Sequence, residues 1–261
     1  MVNKVSVVIP SYNHARFLDD TLRSVLGQSF SDLEVLVIDD ASTDGSQEVL
    51  AAWAKRDRRV HVMCHRANRG ISRTRNEALA RATGEFVAFL DSDDWWHERK
   101  LERQLGIVRE RADVAVWTDG FMIGAEGREE GSFVHLFNDE RLAPNGWLFQ
   151  ALLRGNLIPL QTVLIRRAHL TDLVFDERVA LWSDYSFLID VSRRCEFVFV
   201  PEQLAYFRLH GANSTFARRR LWDADAKMVR DDILNRYGDV MSPIDRQHFL
   251  QVIAHFEAFA V

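Results

Sequence analysis

Three carboxylates occupy four consecutive positions in the segment Asp91-Ser92-Asp93-Asp94. In a closed site these charges would repel one another unless a cation neutralised them. Alternate residues of an extended segment point to the same side, so Asp91 and Asp93 can face one ligand together. Carboxylate oxygens suit Mg²⁺ or Mn²⁺ that is shared with substrate phosphates. The segment therefore predicts a divalent cation site, with Asp94 expected instead to cap a helix over residues 95–111.

Two other polar segments follow predicted strands in the same way. Pro10-Ser11-Tyr12-Asn13 follows the apolar run at 5–9, and Asp39-Asp40 follows a strand expected at 34–38. Ligands bind outside the carboxyl ends of the strands in a doubly wound sheet, so all three polar segments are expected at one cleft. A plain turn is the alternative for Asp39-Asp40, because the residues at 42–44 also favour turns.

Strand and helix alternate regularly over the first 118 residues, which predicts an α/β fold with a doubly wound, mostly parallel sheet. The apolar runs and periodicities predict strands at 5–9, 34–38, 60–63, 86–90, 162–165 and 197–200. The helical patterns lie at 17–26, after 44–46, and at 72–82, 147–153, 185–194 and 221–237. A last helix is expected to start at Ser242-Pro243, where serine can cap it and proline suits the first turn.

The composition is that of a folded domain, with 261 residues, of which 47% are hydrophobic and 27% charged. A net charge of −5 argues against a nucleic-acid partner. Cys64 and Cys195 form no metal-ligand pattern, and the expectation is two buried thiols in a reducing cytosol. No apolar run approaches the roughly 20 residues that span a bilayer. The predicted location is cytoplasmic.

Several other enzyme classes lack their signatures here. No G-x-G-x-x-G follows the first strand and no G-x-x-x-x-G-K-[ST] occurs, which argues against dinucleotide-dependent dehydrogenases and P-loop enzymes. The absence of G-x-S-x-G removes the usual signal of an α/β-hydrolase.

Four segments in the first 100 residues together resemble glycosyltransferase family 2. They are VSVVIPSYN at 5–13, VIDDASTDGS at 37–46, RNEAL at 75–79 and GEFVAFLDSDD at 84–94. The resemblance implies a GT-A type, Rossmann-like domain with a mostly parallel central sheet, flanking helices and a helical C-terminal extension. It also implies an inverting enzyme that uses a nucleotide-sugar donor and a metal-binding DXD motif.

The resemblance implies a role for each matched residue. Pro10 and Tyr12 line the base pocket, Asp39 accepts a hydrogen bond from a base N–H, and Arg75 lies near the base or the phosphates. Asp93 ligates a Mn²⁺ or Mg²⁺ ion that bridges the diphosphate, and Asp91 contacts the ribose or shares the metal. The full set expected to bind the nucleotide sugar is Pro10, Tyr12, Asn13, Asp39, Asp40, Arg75, Asp91 and Ser92. The alternatives are a packed aromatic for Tyr12 and a solvated helix residue for Arg75.

Two shorter matches lie in the second half. LWSDY at 181–185 resembles the segment that carries the catalytic base, with Ser183-Asp184 where the family usually has Glu-Asp, and it assigns the base to Asp184. A helix N-terminus favours the ionised carboxylate that a base requires. RLHGANS at 208–214 resembles the family's late histidine segment, in which His210 binds the metal or a phosphate and Ser214 assists. A helix-terminal carboxylate and a structural histidine are the alternatives.

The expected function is metal-dependent transfer of a sugar from a nucleotide sugar, usually a UDP-sugar in this family, to an acceptor hydroxyl in surface polysaccharide or glycoconjugate synthesis. One rival is a non-catalytic module that only binds the nucleotide sugar. The other is a sugar nucleotidyltransferase, although residues 10–14 lack the glycine-rich basic loop that a triphosphate would require.

The chain is expected to divide into a donor-binding half at 1–118, an acceptor-binding and catalytic half at 119–215, and a helical extension at 216–261. The acceptor is expected to be a saccharide, a lipid-linked molecule or a protein. Arg218-Arg219-Arg220 indicates contact with anionic lipid headgroups at the inner face of the membrane, contact with a lipid-linked diphosphate acceptor, or a solvated basic helix start. The apolar end, with Phe256, Phe259 and Val261, is expected to pack on another subunit, a further domain or a membrane surface.

Overall fold

The computed structural model describes residues 4–124, 127, 129–133, 145–211, 213 and 221–258, with side chains up to residue 251. Within this part of the chain, nine strands form one sheet. The strands are β1 (Val5–Ser11), β2 (Leu33–Asp39), β3 (Val60–Cys64), β4 (Phe86–Phe89), β5 (Trp95–Trp96), β6 (Val114–Ile123), β7 (Glu129–Ser132), β8 (Leu164–Arg166) and β9 (Glu196–Arg208).

Eight α-helices are described with these strands. They are α1 (Ala15–Leu26), α2 (Ser46–Arg56), α3 (Ile71–Leu79), α4 (Lys100–Val108), α5 (Phe149–Leu152), α6 (Ser183–Val191), α7 (Trp222–Tyr237) and α8 (Pro243–Ala258). Short 3₁₀ turns lie at Leu160–Thr162, Arg167–Leu170 and Gly238–Val240. None of the described helices is long and apolar enough to cross a bilayer.

The strand order is β3-β2-β1-β4-β8-β6-β9-β5, and β7 pairs with β6. The first four strands of this order run parallel, as do β6 and β9. The short strand β8 lies antiparallel between β4 and β6 and joins the two halves into one sheet. The expected α/β class, with a largely parallel first half, is therefore confirmed.

The alternation of side chains along the strands divides the core between the two faces of the sheet. In β1, Val5, Val7 and Ile9 pack with α1 and α4 on one face. Val8 and residues of β4 face the other side, where α6 and α7 cover them. Both clusters draw on residues from the two halves of the chain, so the halves share their core.

The segment after the acidic cluster differs from its prediction. Trp95 and Trp96 form the edge strand β5 by pairing with Tyr206 and Ala205 of β9, and the helix begins only at Lys100. Bulky aromatic residues suit a paired strand, and their partners lie too far along the chain for local periodicity to reveal them. Asp94 is therefore no helix cap.

The long strands β6 and β9 are also underestimated by the sequence patterns. Only 197–200 of β9 is predicted, whereas the strand extends from Glu196 to Arg208, and no strand is predicted for β6 or β7. Cys195 is buried as expected, but Cys64 is exposed, which corrects the prediction of two buried thiols.

Candidate active site

The loops that follow β1 and β2 are tied together by the Asn13 side chain. Its Oδ1 accepts a hydrogen bond from the Thr43 N–H at 2.8 Å, and its backbone N–H donates to Ser42 Oγ at 2.8 Å. Asn13 has φ 55°, a left-handed conformation that asparagine tolerates better than most residues. The first two predicted segments therefore meet at one edge of the sheet.

Asp39 and Asp40 lie buried at the end of β2 and make different contacts. Asp39 Oδ1 accepts hydrogen bonds from the Ser42 N–H at 2.9 Å and Gln47 Nε2 at 3.0 Å. The Asp40 oxygens accept the N–H groups of Arg69 and Gly70, both at 2.8 Å. Asp40 thus anchors the loop that leads into α3, and contact of either carboxylate with a nucleotide stays a prediction.

Pro10 and Tyr12 differ in their access to a ligand. Pro10 is buried within β1 and pairs with Ile38. The Tyr12 side chain is 40% exposed at the rim of the loop. The packed-aromatic alternative for Tyr12 therefore does not hold, and its contact with a base stays a prediction.

Arg75 connects the donor side to the second half of the chain. It is buried in α3, and its Nη2 donates to Asp91 Oδ1 at 2.7 Å. Burial alone would lower the pKa of Arg75, but the charges of Asp91, Asp184 and Asp93 together raise it. Arg75 is therefore no solvated helix residue; it lies among three carboxylates that the sequence assigns to the site.

Asp93 lies among the side chains best suited to hold a cation. Its Oδ2 is 3.0 Å from His210 Nε2 and 3.7 Å from His14 Nε2, and one ligand atom from each of the three residues lies within 4.8 Å of the others. Burial raises the pKa of Asp93, but the hydrogen bond from His210 and the charges of His14 and His210 outweigh it and lower the pKa. One carboxylate and two imidazoles are a donor set that fits a divalent transition ion.

His14 is not among the residues predicted from the sequence. It directly follows the polar segment after β1 and precedes α1, so its position at the carboxyl end of a strand was a usable signal. Among the described residues, Asp91, which was also expected to share the metal, does not belong to this cluster, and its carboxylate pairs with Arg75.

Asp94, the residue after Asp93, is held by hydrogen bonds to other elements of the fold. One of its oxygens accepts the Arg208 N–H at 2.9 Å and the other lies 3.4 Å from Gln161 Nε2. Burial, followed by the nearby charges of Asp93 and Asp91, raises the pKa of Asp94 well above its usual range. Asp94 therefore has a structural role, although a different one from the predicted helix cap.

Asp184 lies in the first turn of α6. The residues just before this helix, at 179–181, are held by hydrogen bonds from other parts of the chain. Asp225 of α7 accepts the N–H groups of Ala180 and Leu181, both at 2.8 Å. Ser72 of α3 donates its hydroxyl to the Val179 carbonyl at 3.1 Å. The helical extension thus contributes to the position of the predicted base, a contact that the sequence did not indicate.

A cavity of about 940 Å³ borders His210 on the α1 side. Trp95 and Tyr206 stack in its wall with ring centroids 5.3 Å apart, and the Arg208 guanidinium lies 4.5 Å from the Trp95 centroid. Of the three residues of the His14, Asp93 and His210 cluster, His210 alone lines this cavity, and neither Arg75 nor Asp184 does.

Some predicted residues lie outside the part of the chain that is described. They are Ser214, the three arginines at 218–220 and the side chains of Phe256, Phe259 and Val261. Their proposed contacts with a phosphate, a membrane or a partner stay predictions.

Comparison with known proteins bears on the family and on the fold. The profile described as Glycosyl transferase family 2 matches residues 6–144. A Bacillus subtilis protein named as the teichuronic acid biosynthesis glycosyltransferase TuaG is 31% identical over 256 residues, which cover 98% of this chain and 94% of that protein. An uncharacterized glycosyltransferase of Rickettsia bellii is 29% identical over 232 residues, and the chain spans only 32% of its length.

Two solved structures share the fold. S. aureus TarS 1-349 in complex with UDP-GlcNAc has a TM-score of 0.72 and 23% identity, over 97% of this chain and 71% of that one. The mannosyltransferase PcManGT from Pyrobaculum calidifontis, in complex with GDP-Man and Mn²⁺, has a TM-score of 0.64 and 20% identity, over 98% of this chain and 69% of that one. The fold is the GT-A fold, and the chain belongs to glycosyl transferase family 2.

Proposed function

We propose that this chain is a metal-dependent, inverting glycosyltransferase that transfers a sugar from a UDP-sugar to an acceptor hydroxyl during synthesis of a cell-surface polysaccharide. The main support is the position of Arg75. It is buried and pairs with Asp91, and the charges of Asp93 and Asp184 help to raise its pKa. The donor-side carboxylates Asp91 and Asp93 and the candidate base Asp184 thus all lie near the Arg75 guanidinium.

The donor would lie along the carboxyl ends of β1, β2 and β4. In this placement Tyr12 contacts the base, while Asp39 accepts a base N–H and Arg75 neutralises charge near the diphosphate. TarS in complex with UDP-GlcNAc supports a uridine donor, and PcManGT in complex with GDP-Man and Mn²⁺ supports a diphosphate donor with a divalent cation. Asp93 and His210 would hold that cation, which supplies positive charge to the departing nucleoside diphosphate.

Asp184 would act on the acceptor. Its carboxylate takes the proton of the acceptor hydroxyl while that oxygen forms a bond to the anomeric carbon. The bond from the anomeric carbon to the diphosphate oxygen breaks at the same time, and its electron pair leaves with the nucleoside diphosphate. Because attack and departure take place on opposite faces of the sugar, the anomeric configuration inverts.

The TuaG relative, named for teichuronic acid biosynthesis, supports a cell-surface polysaccharide as the product. The proposed acceptor is a saccharide, free or lipid-linked, at the cytoplasmic face of the membrane. The three arginines at 218–220 would approach anionic lipid there.

A thermal-shift panel of nucleotide sugars, followed by a transfer assay, tests the proposal. A UDP-sugar should raise the melting temperature only with Mn²⁺, and a chelator should remove the shift; UDP release on addition of a saccharide acceptor should follow. NMR of the product should give the anomer opposite to that of the donor. Failure of every nucleotide to stabilise the protein with metal would contradict the proposal, and pyrophosphate release from a nucleoside triphosphate would favour a nucleotidyltransferase.

A further inference from the structure

His14 has a conformation that is fixed at both its backbone and its ring. Its backbone N–H donates to Ser46 Oγ at 3.1 Å, and its Nδ1 lies 2.8 Å from Ser92 Oγ. The ring meets His210 edge-on, with centroids 5.8 Å apart at 89°. With Nδ1 engaged by Ser92, the other ring nitrogen is the one on the Asp93 side, 3.7 Å from Oδ2.

This arrangement matches the way proteins hold histidine ligands. A metal-ligating histidine is usually oriented by a hydrogen bond at its other ring nitrogen, which fixes the tautomer and the direction of the ligand nitrogen. Ser92 occupies that position for His14, and it is buried within the acidic segment itself. The middle residue of Asp91-Ser92-Asp93 thus has a role in orienting a ligand.

The distances also agree with a shared cation. Ligand atoms about 2.1 Å from one ion lie roughly 3.0 Å apart at right angles and about 3.4 Å apart at the tetrahedral angle. The His210 Nε2 to Asp93 Oδ2 distance is 3.0 Å, and the His14 Nε2 distance of 3.7 Å exceeds the tetrahedral value only slightly. One ligand atom from each of the three residues lies within 4.8 Å of the others, so a shared ion requires only that the two imidazoles and the carboxylate close around it.

We propose that His14 is a third protein ligand of the donor-site cation, oriented by Ser92, and that the site therefore prefers a transition-metal ion to Mg²⁺. The inference rests on the proposed function, since it concerns the cation of that same site. Two imidazole nitrogens beside one carboxylate depart from the all-oxygen set that Mg²⁺ prefers. Affinity should accordingly rise from Mg²⁺ through Mn²⁺ to Co²⁺.

The experiment measures metal binding directly, with UDP present at saturation in every sample. Free Mn²⁺ is counted by its EPR signal, and Co²⁺ binding is followed by its visible absorption bands. His14→Asn is the decisive variant, because its side-chain amide can keep the hydrogen bond to Ser92 while the ligand nitrogen is lost. Ser92→Ala removes the orienting hydroxyl, and His61→Asn, at an exposed histidine on β3, is the matched control.

His14→Asn should weaken Mn²⁺ binding on the order of 100-fold, and Ser92→Ala about 10-fold, with His61→Asn unchanged. The preference for Co²⁺ over Mg²⁺ should shrink in His14→Asn, and the Co²⁺ bands should change in intensity. Melting temperatures of the variants without metal establish that each one folds; if His14→Asn fails this check, His14→Ala, which also lacks the ligand nitrogen, takes its place.

If the wild type binds Mn²⁺ and His14→Asn binds it with the same affinity, this inference is wrong and the proposed function stays intact. Absence of any Mn²⁺ binding by the wild type with UDP would instead contradict the metal dependence of the proposed function. A wild type that binds Mg²⁺ as tightly as Co²⁺ would overturn the selectivity.

Discussion

Asp93 and Asp184 both lie close enough to Arg75 to raise its pKa, but two regions of the chain hold them in different ways. Asp93 belongs to a short segment directly after β4, and its neighbours come from the loops after β1 and β9. Asp184 follows a segment that is anchored from α3, 107 residues earlier, and from α7, 44 residues later.

The two sets of side chains are therefore positioned by different parts of the fold. The proposed cation ligands are positioned by strand ends, where the sheet fixes the backbone. The predicted base depends on packing between elements that are distant in the chain, and Trp182 before it adopts φ 64°, a conformation that costs energy for a bulky residue. Substitutions around Asp184 should therefore change turnover with little change in donor binding, whereas substitutions around Asp93 should change both.

The largest effect is expected for Asp184→Asn. The amide cannot accept the acceptor proton, so turnover should fall by about 10² to 10⁴-fold. The affinity for Mn²⁺ and UDP should stay within about twofold, because the proposed cation ligands are untouched. Steady-state kinetics with calorimetric UDP binding measure both. Unchanged turnover would remove Asp184 as the base, and loss of UDP binding would contradict the separation of the two regions.

A smaller effect on the same side is expected for Asp225→Asn. The neutral side chain retains one acceptor oxygen for the N–H groups of Ala180 and Leu181 but loses the stronger charge-assisted bonds. The base should then be held less well, and kcat should fall about tenfold with the donor KM nearly constant, which corresponds to about 1.4 kcal/mol. Asp223→Asn, at an exposed position of the same helix, is the matched control.

The two readouts of Asp225→Asn separate positioning from simple stability. A lower melting temperature with unchanged kcat at 20 °C would assign Asp225 a purely structural role. A parallel change in kcat and in the donor KM would indicate that the α7 contact affects the donor side as well.

The smallest effect concerns Lys100, which is fully buried at the start of α4. Its Nζ donates to Gln104 Oε1 at 2.8 Å, and Gln104 Nε2 donates to the carbonyls of Val116 and Thr162, both at 2.8 Å. Burial lowers the pKa of Lys100 well below its usual range. Lys100→Met should therefore stabilise the fold by about 1 kcal/mol at pH 7.

The lowered pKa of Lys100 also predicts how the stability of the wild type changes with pH. Between the lowered folded pKa and the ordinary lysine pKa, the unfolded chain binds a proton that the folded chain lacks, so wild-type stability rises with pH across that window. Lys100→Met should remove this rise, and urea unfolding at pH 7 and pH 9.5 measures it. A variant less stable than the wild type at both values would show that the Lys100–Gln104 contact outweighs the cost of burial.

The sequence was most informative where local pattern and chemistry coincide. The strands β1, β2 and β4 could be predicted because a continuous apolar run identifies each one. The end of β1 was placed too early, since Pro10 and Ser11, expected in the turn, still pair with β2. The position of His14 after β1 could have marked it as a site residue, but its role as a possible ligand becomes visible only when the fold places His210, 196 positions later, beside it.

The remaining errors share a long-range cause. Trp95-Trp96 was expected to be helical, since its strand partners in β9 are invisible to local periodicity. The anchoring of the 178–182 segment by Ser72 and Asp225 depends on three separate elements meeting in space. Neither contact leaves a local pattern in the sequence.

The antiparallel strand β8 has a consequence for how such enzymes can diversify. It covers the edge of β4 along Phe86 to Ala88, and Arg166 at its end pairs with Glu85. A fragment that stopped before β8 would present that apolar edge to solvent and invite pairing between molecules. Exchange of acceptor halves by recombination would thus succeed only where the incoming segment brings its own matching strand, whereas gradual change in loops carries no such requirement.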